Sequence, residues 1–273
     1  MELITILLTS LLVLVSPTGL VIDRTVANAI RSRFEKVEQL QVRVDNAPSH
    51  QILQGKVERL RMAGRGLWLT KDIRIDALEL ESDRLDLDLQ RLRQAKQRLS
   101  MASLQKPVQA AAHLVFTEVD TNQALQSPAV NARLQQVLNR LLSSSNAQAA
   151  QGYQLLNPRV EFLGNNRLRF QAQLKEPART EPLNIIGESG LGIVAGRRLQ
   201  LISPTLSVNG KPIPPQIVTA LTARFSNRAD LGRLEDAGII ARLLQLKIDS
   251  DRLELAAFVR LDRSKRASIP NPP

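Results

Sequence analysis

The sequence of 273 residues contains no cysteine, only two histidines (His50 and His113) and only 3% aromatic residues. Without cysteine there are no disulfides, thiolate nucleophiles, iron–sulfur clusters or cysteine-ligated zinc sites. Two histidines cannot supply a three-histidine metal site. Proteins that bind single-stranded nucleic acid without sequence preference stack bases on aromatic rings, which are scarce here. We therefore expect no metal, no cofactor and no nucleic-acid partner.

Basic residues are in excess, with 37 Lys and Arg against 26 Asp and Glu and a formal net charge of +11. An anionic membrane surface attracts Lys and Arg side chains. The same net charge also serves solubility alone, and a basic patch is typical of nucleic-acid-binding proteins. The charge therefore leaves three explanations open, of which the anionic membrane surface is the one that the N-terminus favours.

The N-terminus carries the longest apolar run of the chain, from Leu3 to Val15. A short Pro–Gly interruption follows, and the apolar character resumes up to Ile22. A membrane-spanning helix needs about 20 apolar residues. Residues 1–22 are therefore predicted to be an anchor or an atypical signal segment, with a buried helix as the alternative. Basic residues such as Arg24 and Arg31 follow the run, and by the positive-inside rule they favour a cytoplasmic body.

The body of the chain alternates between strand-like and helix-like patterns. Apolar residues at every second position, as in Leu40, Val42 and Val44, predict half-buried strands. Turn signals at 164–166 and 209–210 predict hairpins. Two helices are predicted to begin at prolines, after Ser127 and at Pro214-Pro215, the second with Ile217, Leu221 and Phe225 on one face. This pattern predicts an α+β chain with a mostly antiparallel sheet and amphipathic helices.

Between Ile73 and Leu89 the alternation of apolar and polar residues shifts twice, so that apolar residues move from odd to even positions or back. Ile75 and Leu78 differ in phase, and so do Leu80 and Leu85. A slip of one residue turns every later side chain to the other face of a sheet. We therefore expect bulges or bends near Asp76-Ala77 and near residues 82–84, and a strongly curved sheet.

Catalytic and cofactor motifs are incomplete. Gly190 to Ala195 matches the dinucleotide fingerprint, but a strand-like run follows it instead of the required helix. A second candidate, Gly187 to Gly190, lacks one glycine of a nucleophile elbow. The acidic series from Glu79 to Asp88 lacks the features of a calcium loop and is interpreted as the solvated face of strands. We therefore predict that the protein is not an enzyme; an enzyme with an uncommon carboxylate site is the weakest of three hypotheses.

Three stretches of the sequence carry a resemblance to a known protein family. The first is VRVDNAPSHQILQGKVERLRMAGRGL (Val42 to Leu67), followed by IRIDALELE (Ile73 to Glu81). The second is FTEVDTNQAL (Phe116 to Leu125), and the third is LSVNGKPIPPQI (Leu206 to Ile217). These stretches resemble the LmeA-like phospholipid-binding family of bacterial proteins, and the resemblance covers about residues 20–261. It implies a tubular lipid-binding-like fold, a curved sheet wrapped around long amphipathic helices, and binding of phospholipid or a similar acyl lipid at a bacterial membrane.

On this basis residues 23–262 are predicted to form a lipid-binding-like domain, followed by a disordered basic and Pro-rich tail at 263–273. Strand residues with aliphatic side chains are expected to line a lipid cavity: Leu78, Leu80, Leu85, Leu87, Leu168, Phe170, Leu253 and Leu255. Basic residues near the C-terminus are expected to contact headgroups or the membrane surface: Arg260, Arg263, Lys265 and Arg266. The alternative hypothesis is a membrane-associated scaffold or assembly factor without a cavity. The resemblance favours an exported protein, whereas the flanking charges favour the cytoplasmic face, so the membrane side stays open.

Overall fold

The computed structural model describes residues 27–28, 30–46, 51, 54–88, 104–142, 152–176 and 181–262. The predicted N-terminal anchor and the predicted C-terminal tail lie outside these residues. Among the described residues, no helix has the length and apolar content needed to cross a bilayer.

Six long strands form the larger sheet, sheet I. They are β1 (Lys36–Asp45), β3 (Arg59–Thr70), β4 (Ile73–Ser82), β6 (Val108–Thr117), β12 (Ile239–Ile248) and β13 (Arg252–Leu261). Their order across the sheet is β1, β3, β4, β6, β13, β12, and all neighbours are antiparallel. Two short strands, β2 (Lys56–Val57) and β5 (Leu85–Asp86), pair with each other beside it.

Five consecutive strands form sheet II. They are β7 (Gln154–Gly164), β8 (Arg167–Lys175), β9 (Leu183–Val194), β10 (Arg198–Val208) and β11 (Lys211–Pro212). They lie side by side in chain order, so β7 and β11 are its edges. The turns at Asn165-Asn166 and Asn209-Gly210 have positive φ at both residues, as tight hairpin turns require. Both predicted hairpins are confirmed.

The α-helices are α1 (Glu118–Gln126), α2 (Pro128–Leu142) and α3 (Pro215–Arg228), and a 3-10 helix spans Leu231–Ala237. The predicted starts of α2 and α3 are confirmed. Helix α1 is a correction, because the sequence pattern predicted no helix over residues 118–126. Its start is signalled by Thr117, whose hydroxyl accepts a hydrogen bond from the Asp120 amide at 3.0 Å. The α+β class with antiparallel sheets is confirmed, whereas a sheet wrapped around long helices stays a prediction.

The predicted break near residues 82–84 is confirmed, whereas no bulge of β4 lies at Asp76-Ala77, where the register with β3 is unbroken. In β4, Ile75 and Leu78 are both buried although their positions differ in phase. Opposite this point β3 carries Gly66 with φ +56°, where any Cβ atom would collide with the Glu38 side chain. At the second point β4 ends at Ser82, and the chain enters β5 in a different sheet.

Sheets I and II are joined at β12. The amide of Ile248 donates to the Asn166 side chain at 2.8 Å, and Asn166 donates its own amide to the carbonyl of Ile248. Farther along β12, the amide of Leu243 donates to the carbonyl of Gly196. Turns of sheet II therefore satisfy backbone groups of an edge strand of sheet I, which fixes the two sheets relative to each other.

The larger hydrophobic core lies on one face of sheet I. It includes Ile30 and Phe34, which precede β1, together with strand residues such as Leu60, Met62 and Leu78. A smaller core at the junction with sheet II contains Val160, Phe162 and Ile248. The described chain before β1 thus covers part of the apolar face of sheet I.

Candidate functional site

The apolar face of sheet I is built from rows of residues that lie opposite one another on neighbouring strands. One row crosses five strands: Val42, Met62, Leu80, Ala112 and Ala257. The adjacent row on the same face consists of Leu40, Gly64, Leu78, Leu114 and Leu255. Because side chains alternate between faces along each strand, these two rows form a continuous apolar patch on one face.

A concave pocket of about 800 Å³ lies over the first of these rows. All five of its members, together with Leu40, line the pocket. Ala27 also lines it and lies one helical turn from Ile30, a residue of the core on the apolar face. Polar side chains of the neighbouring positions, such as Arg43, Arg61 and Glu79, also border the pocket. The pocket is therefore an open site with an aliphatic floor, and its lining residues other than Met62 are half-buried or exposed.

The opposite face of sheet I is polar. Glu79 on β4 and His113 on β6 lie opposite each other, at positions that alternate with the aliphatic rows. The Nε2 atom of His113 lies 3.6 Å from the Glu254 carboxylate. On β1 and β3, Arg43 and Arg61 both donate to Asp45, at 2.7 and 2.5 Å. Partial burial raises the pKa of Asp45, but the two guanidinium groups outweigh it and hold that pKa below its ordinary value. These charged residues alternate along the strands with the aliphatic rows, and Arg43, Arg61, Glu79 and His113 also border the pocket.

A family model described as LmeA-like phospholipid-binding matches residues 15–258. The chain belongs to the LmeA-like phospholipid-binding family. A comparison with curated proteins found no significant match, and neither did a comparison with solved structures. The family resemblance predicted from the sequence is therefore confirmed over nearly the whole chain.

The stretches that resemble the LmeA-like family lie in different parts of the fold. Val42 to Leu67 runs from β1 into β3 and supplies Val42 and Met62 to the pocket. Phe116 to Leu125 forms most of α1, and Leu206 to Ile217 leads from β10 into α3. Two of the three stretches therefore build elements outside the pocket.

The eight residues predicted to line a lipid cavity fall into three places. Leu78, Leu80 and Leu255 share the apolar face of sheet I, but only Leu80 contributes to the pocket wall. The side chains of Leu85 and Leu87 are buried in the larger core beside β2. Leu168 and Leu253 pack against the smaller core, and Phe170 is half-buried in β8. Their contact with lipid stays a prediction.

Of the residues that line the pocket, sequence reasoning predicted only Leu80 and missed the other members of its row: Val42, Met62, Ala112 and Ala257. The alternation that reveals them was visible in β1 and β6. Alanine is weak evidence for a pocket wall, however, because its small side chain is equally common in packed cores. The strand pairing, which the sequence alone does not fix, is what brings these residues into one row.

Of the predicted headgroup contacts, Arg260 is described and lies at the end of β13. Its Nη2 atom is 3.4 Å from Asp262, and its Nε atom is buried without a hydrogen-bond partner among the described residues. Arg263, Lys265 and Arg266 lie outside the described residues. The role of these four basic residues stays a prediction.

The incomplete motifs have structural explanations. Residues 190–194 lie within β9, as the absence of a following helix predicted. A Cβ atom at Gly192 would come within 2.8 Å of Ile202 on the neighbouring strand, so glycine permits this close approach. In the acidic series, Glu79 and Glu81 are exposed as expected, but Asp86 is buried. The expectation of a solvated face is wrong at Asp86, because β5 pairs with β2 instead of continuing β4.

Proposed function

We propose that the protein binds phospholipid, or a similar acyl lipid, in the pocket on the apolar face of sheet I. The observation that carries this proposal is the aliphatic row from Val42 to Ala257 at the floor of an open pocket of about 800 Å³. This volume lies within the usual range for small-molecule sites, about 300–1,000 Å³. Membership of a phospholipid-binding family supports the choice of ligand.

The chemistry of the pocket suits an acyl chain. Contact between aliphatic groups is non-directional and contributes about 0.8 kcal/mol for each buried methylene. A charged headgroup would lose its hydration on the aliphatic floor, so it stays near the polar side chains that also border the pocket, among them Arg43 and Arg61. Lipid binding of this kind requires no reaction, and the family is described by binding and not by catalysis.

The proposed lipid ligand places the protein at a membrane. In this arrangement residues 23–262 form the lipid-binding domain, residues 1–22 attach it to the bilayer, and the basic residues from Arg260 to Arg266 meet anionic headgroups. The excess of Lys and Arg over Asp and Glu supports the last contact.

Native mass spectrometry of the full chain, with extraction of co-purifying lipid, tests the proposal. We expect phospholipid to accompany the wild-type protein in a defined ratio. The variant Ala112→Leu fills the floor of the pocket with three more carbon atoms and should carry much less lipid. Ala132→Leu adds the same group on the exposed side of α2 and should carry as much lipid as the wild type.

Two results would contradict the proposal. A wild-type protein that carries no lipid, even after incubation with phospholipid, would favour the scaffold hypothesis. Equal lipid content in Ala112→Leu and the wild type would place the lipid elsewhere than in this pocket.

A further inference from the structure

The helical turn that precedes β1 leads from the larger core to the pocket. In this turn the amide of Ser32 donates to the carbonyl of Asn28 at 2.9 Å. Ile30 is completely buried and belongs to the core, whereas Ala27, three residues nearer the N-terminus, lines the pocket. The chain that comes before Ala27 therefore meets the described part of the molecule at the wall of the pocket.

The longest apolar run of the chain ends close to this point. Residues 3–22 contain no charged side chain, and only four residues, 23–26, separate them from Ala27. The five Cα–Cα steps from Ile22 to Ala27 span at most about 18 Å, even when the link is fully extended. The apolar run is therefore tethered within about 18 Å of a residue that lines the pocket.

The length of the pocket floor suits this run. The aliphatic row from Val42 on β1 to Ala257 on β13 crosses five strands. Because neighbouring strands lie about 4.8 Å apart, the row is about 19 Å long. Residues 3–15 in helical form would measure about 20 Å. The sequence Ser-Pro-Thr-Gly at 16–19 combines residues typical of turns, and a turn there would let the run fold back along the row.

Other parts of the chain outside the described residues are less suited to an aliphatic floor. Residues 89–103 contain four Lys and Arg and residues 263–273 contain three, and these charges would lose their hydration there. Residues 143–151 contain no apolar side chain larger than alanine. A second copy could offer its own apolar run, but the tether gives the run of the same molecule a much higher effective concentration. The observations therefore favour one occupant, the apolar run of the same chain.

We propose that residues 3–22 cover the pocket of their own molecule when no lipid is bound, and that acyl lipid displaces them. Contact between the run and the aliphatic floor removes both from water. A bilayer offers the run a more extensive apolar environment, so at a membrane the run leaves the pocket and the pocket becomes free for lipid. The inference rests on the proposed function, because it states how the proposed lipid site is closed and opened.

The absence of cysteine allows a single thiol to report whether the pocket is covered. Ala112→Cys places a thiol on the pocket floor, and Ala132→Cys is the matched control on the exposed side of α2. The rate of reaction with a small water-soluble maleimide is measured for each in the delipidated full chain. Each reporter is combined with Leu8→Asp plus Leu12→Asp, which makes the run polar, or with Leu8→Ile plus Leu12→Ile, which keeps it apolar.

We expect the thiol at position 112 to react several-fold faster in the Asp variant than in the Ile variant or with the native run. The thiol at position 132 should react at one rate in all three. The Asp variant should also bind a short-chain, water-soluble phosphatidylcholine several-fold more tightly. The reason is that a covered pocket lowers the apparent affinity by the fraction of molecules that are open.

Three results would overturn the inference. One is an equal rate at position 112 in the Asp and Ile variants, which would show that the run does not cover the floor. Another is protection at position 112 that disappears on dilution, which would show that a second copy supplies the run. The third is an equal affinity of the Asp and Ile variants for the short-chain lipid.

The lipid titration separates this inference from the proposed function. Short-chain lipid that binds all variants equally and slows the thiol at position 112 in each would refute the intramolecular cover and leave the pocket proposal standing. A thiol at position 112 that is released in the Asp variant, while no variant binds lipid, would refute the pocket proposal and leave the cover standing.

Discussion

Asp230 links the end of α3 to the start of β10. Its Oδ1 atom accepts the Gly232 amide at 2.8 Å, and the guanidinium groups of Arg197 and Arg198 lie 3.6 and 3.4 Å away. The hydrogen bond from Gly232 is the main cause that holds the pKa of Asp230 below its ordinary value. Partial burial raises this pKa, and the two arginines lower it further. The carboxylate is thus stabilised in its charged form.

Asp230→Asn should destabilise the protein at neutral pH and lose this effect in acid. The asparagine keeps an oxygen for the Gly232 amide but removes the charge that attracts both arginines. A carboxyl group whose pKa is lowered by folding stabilises the native state above its unfolded pKa of about 4. That contribution disappears as the pH falls through the lower native pKa.

Urea unfolding of the wild type and of Asp230→Asn, from pH 7 downward, measures the difference. We expect the two free energies of unfolding to differ at pH 7 and to converge below about pH 4. A difference that stays constant over the whole range would show that the charge of Asp230 does not stabilise the fold. Asp236→Asn, at an exposed position of the nearby 3-10 helix, is the control.

At the scale of elements, α1 supplies the edge strand β7 with hydrogen-bond partners that a neighbouring strand would otherwise provide. Polar side chains at intervals of four residues on α1 meet backbone groups of β7: Glu118 accepts the Phe162 amide, Asn122 bonds both the amide and the carbonyl of Val160, and Gln126 donates to the Pro158 carbonyl. On α2, Gln135 continues the series at Tyr153 and Leu155. Helical side chains therefore satisfy an edge that would otherwise be open to other strands.

The other side of α1 is fixed to sheet I by an ion pair. The Asp120 carboxylate lies 2.6 Å from the Arg74 guanidinium and also accepts the Thr117 hydroxyl at 2.7 Å. Arg74 in turn lies over the ring of Trp68, 5.0 Å from its centre. The stretch Phe116 to Leu125, which resembles the family, is thus explained by structure: its polar residues bind the helix to both sheets.

Asn122→Ala should weaken the attachment of β7 more than the neighbouring change Gln123→Ala. The first variant leaves the amide and the carbonyl of Val160 without their partner, at a cost of about 1–3 kcal/mol. Gln123 is exposed on the same helix, so its truncation should change stability by less than about 0.5 kcal/mol.

Denaturant unfolding measures both free energies, and hydrogen exchange at Val160 reports the local effect. We expect faster exchange at this amide in Asn122→Ala only. Similar stabilities for the two variants would show that the side-chain bonds of α1 do not support β7.

The sequence predicted α2, α3 and the hairpins but not α1, for a physical reason. In α2 and α3 a proline marks the first turn, and apolar residues recur at helical spacing. In α1 the residues that recur at helical spacing are Glu118, Asn122 and Gln126, which are polar. A search for apolar periodicity does not register them. Their partners on β7 are about 40 residues away in the chain, and only the fold brings them together.

At the scale of the whole molecule, the sequence located the aliphatic strands but not the opening between them. Leu78 and Leu80 belong to the same face, yet Leu78 is covered by the core and Leu80 lines the pocket. Their patterns along the chain are identical. What distinguishes them is how closely the core packs over each one, and this depends on tertiary packing and not on strand periodicity.

Added phospholipid should raise the thermal unfolding midpoint of the wild-type protein. A ligand that binds only the native state adds RT ln(1 + [L]/Kd), about 2.7 kcal/mol at a hundredfold excess over Kd. For a protein of this size that corresponds to a rise of about 5–10 °C in Tm. Ala112→Leu, which fills the pocket floor, should gain much less, while Ala132→Leu should respond as the wild type does.

This comparison distinguishes a lipid site from a packed core because the two make opposite predictions for Ala112→Leu without lipid. In an open pocket, the larger side chain covers aliphatic surface that water otherwise contacts, so lipid-free stability should hold or rise. In a filled core it would overpack and cost about 1–3 kcal/mol. Calorimetry of delipidated protein, followed by titration with phospholipid, measures both quantities. A destabilised Ala112→Leu variant together with an unchanged wild-type midpoint in lipid would identify this region as core and favour the scaffold hypothesis.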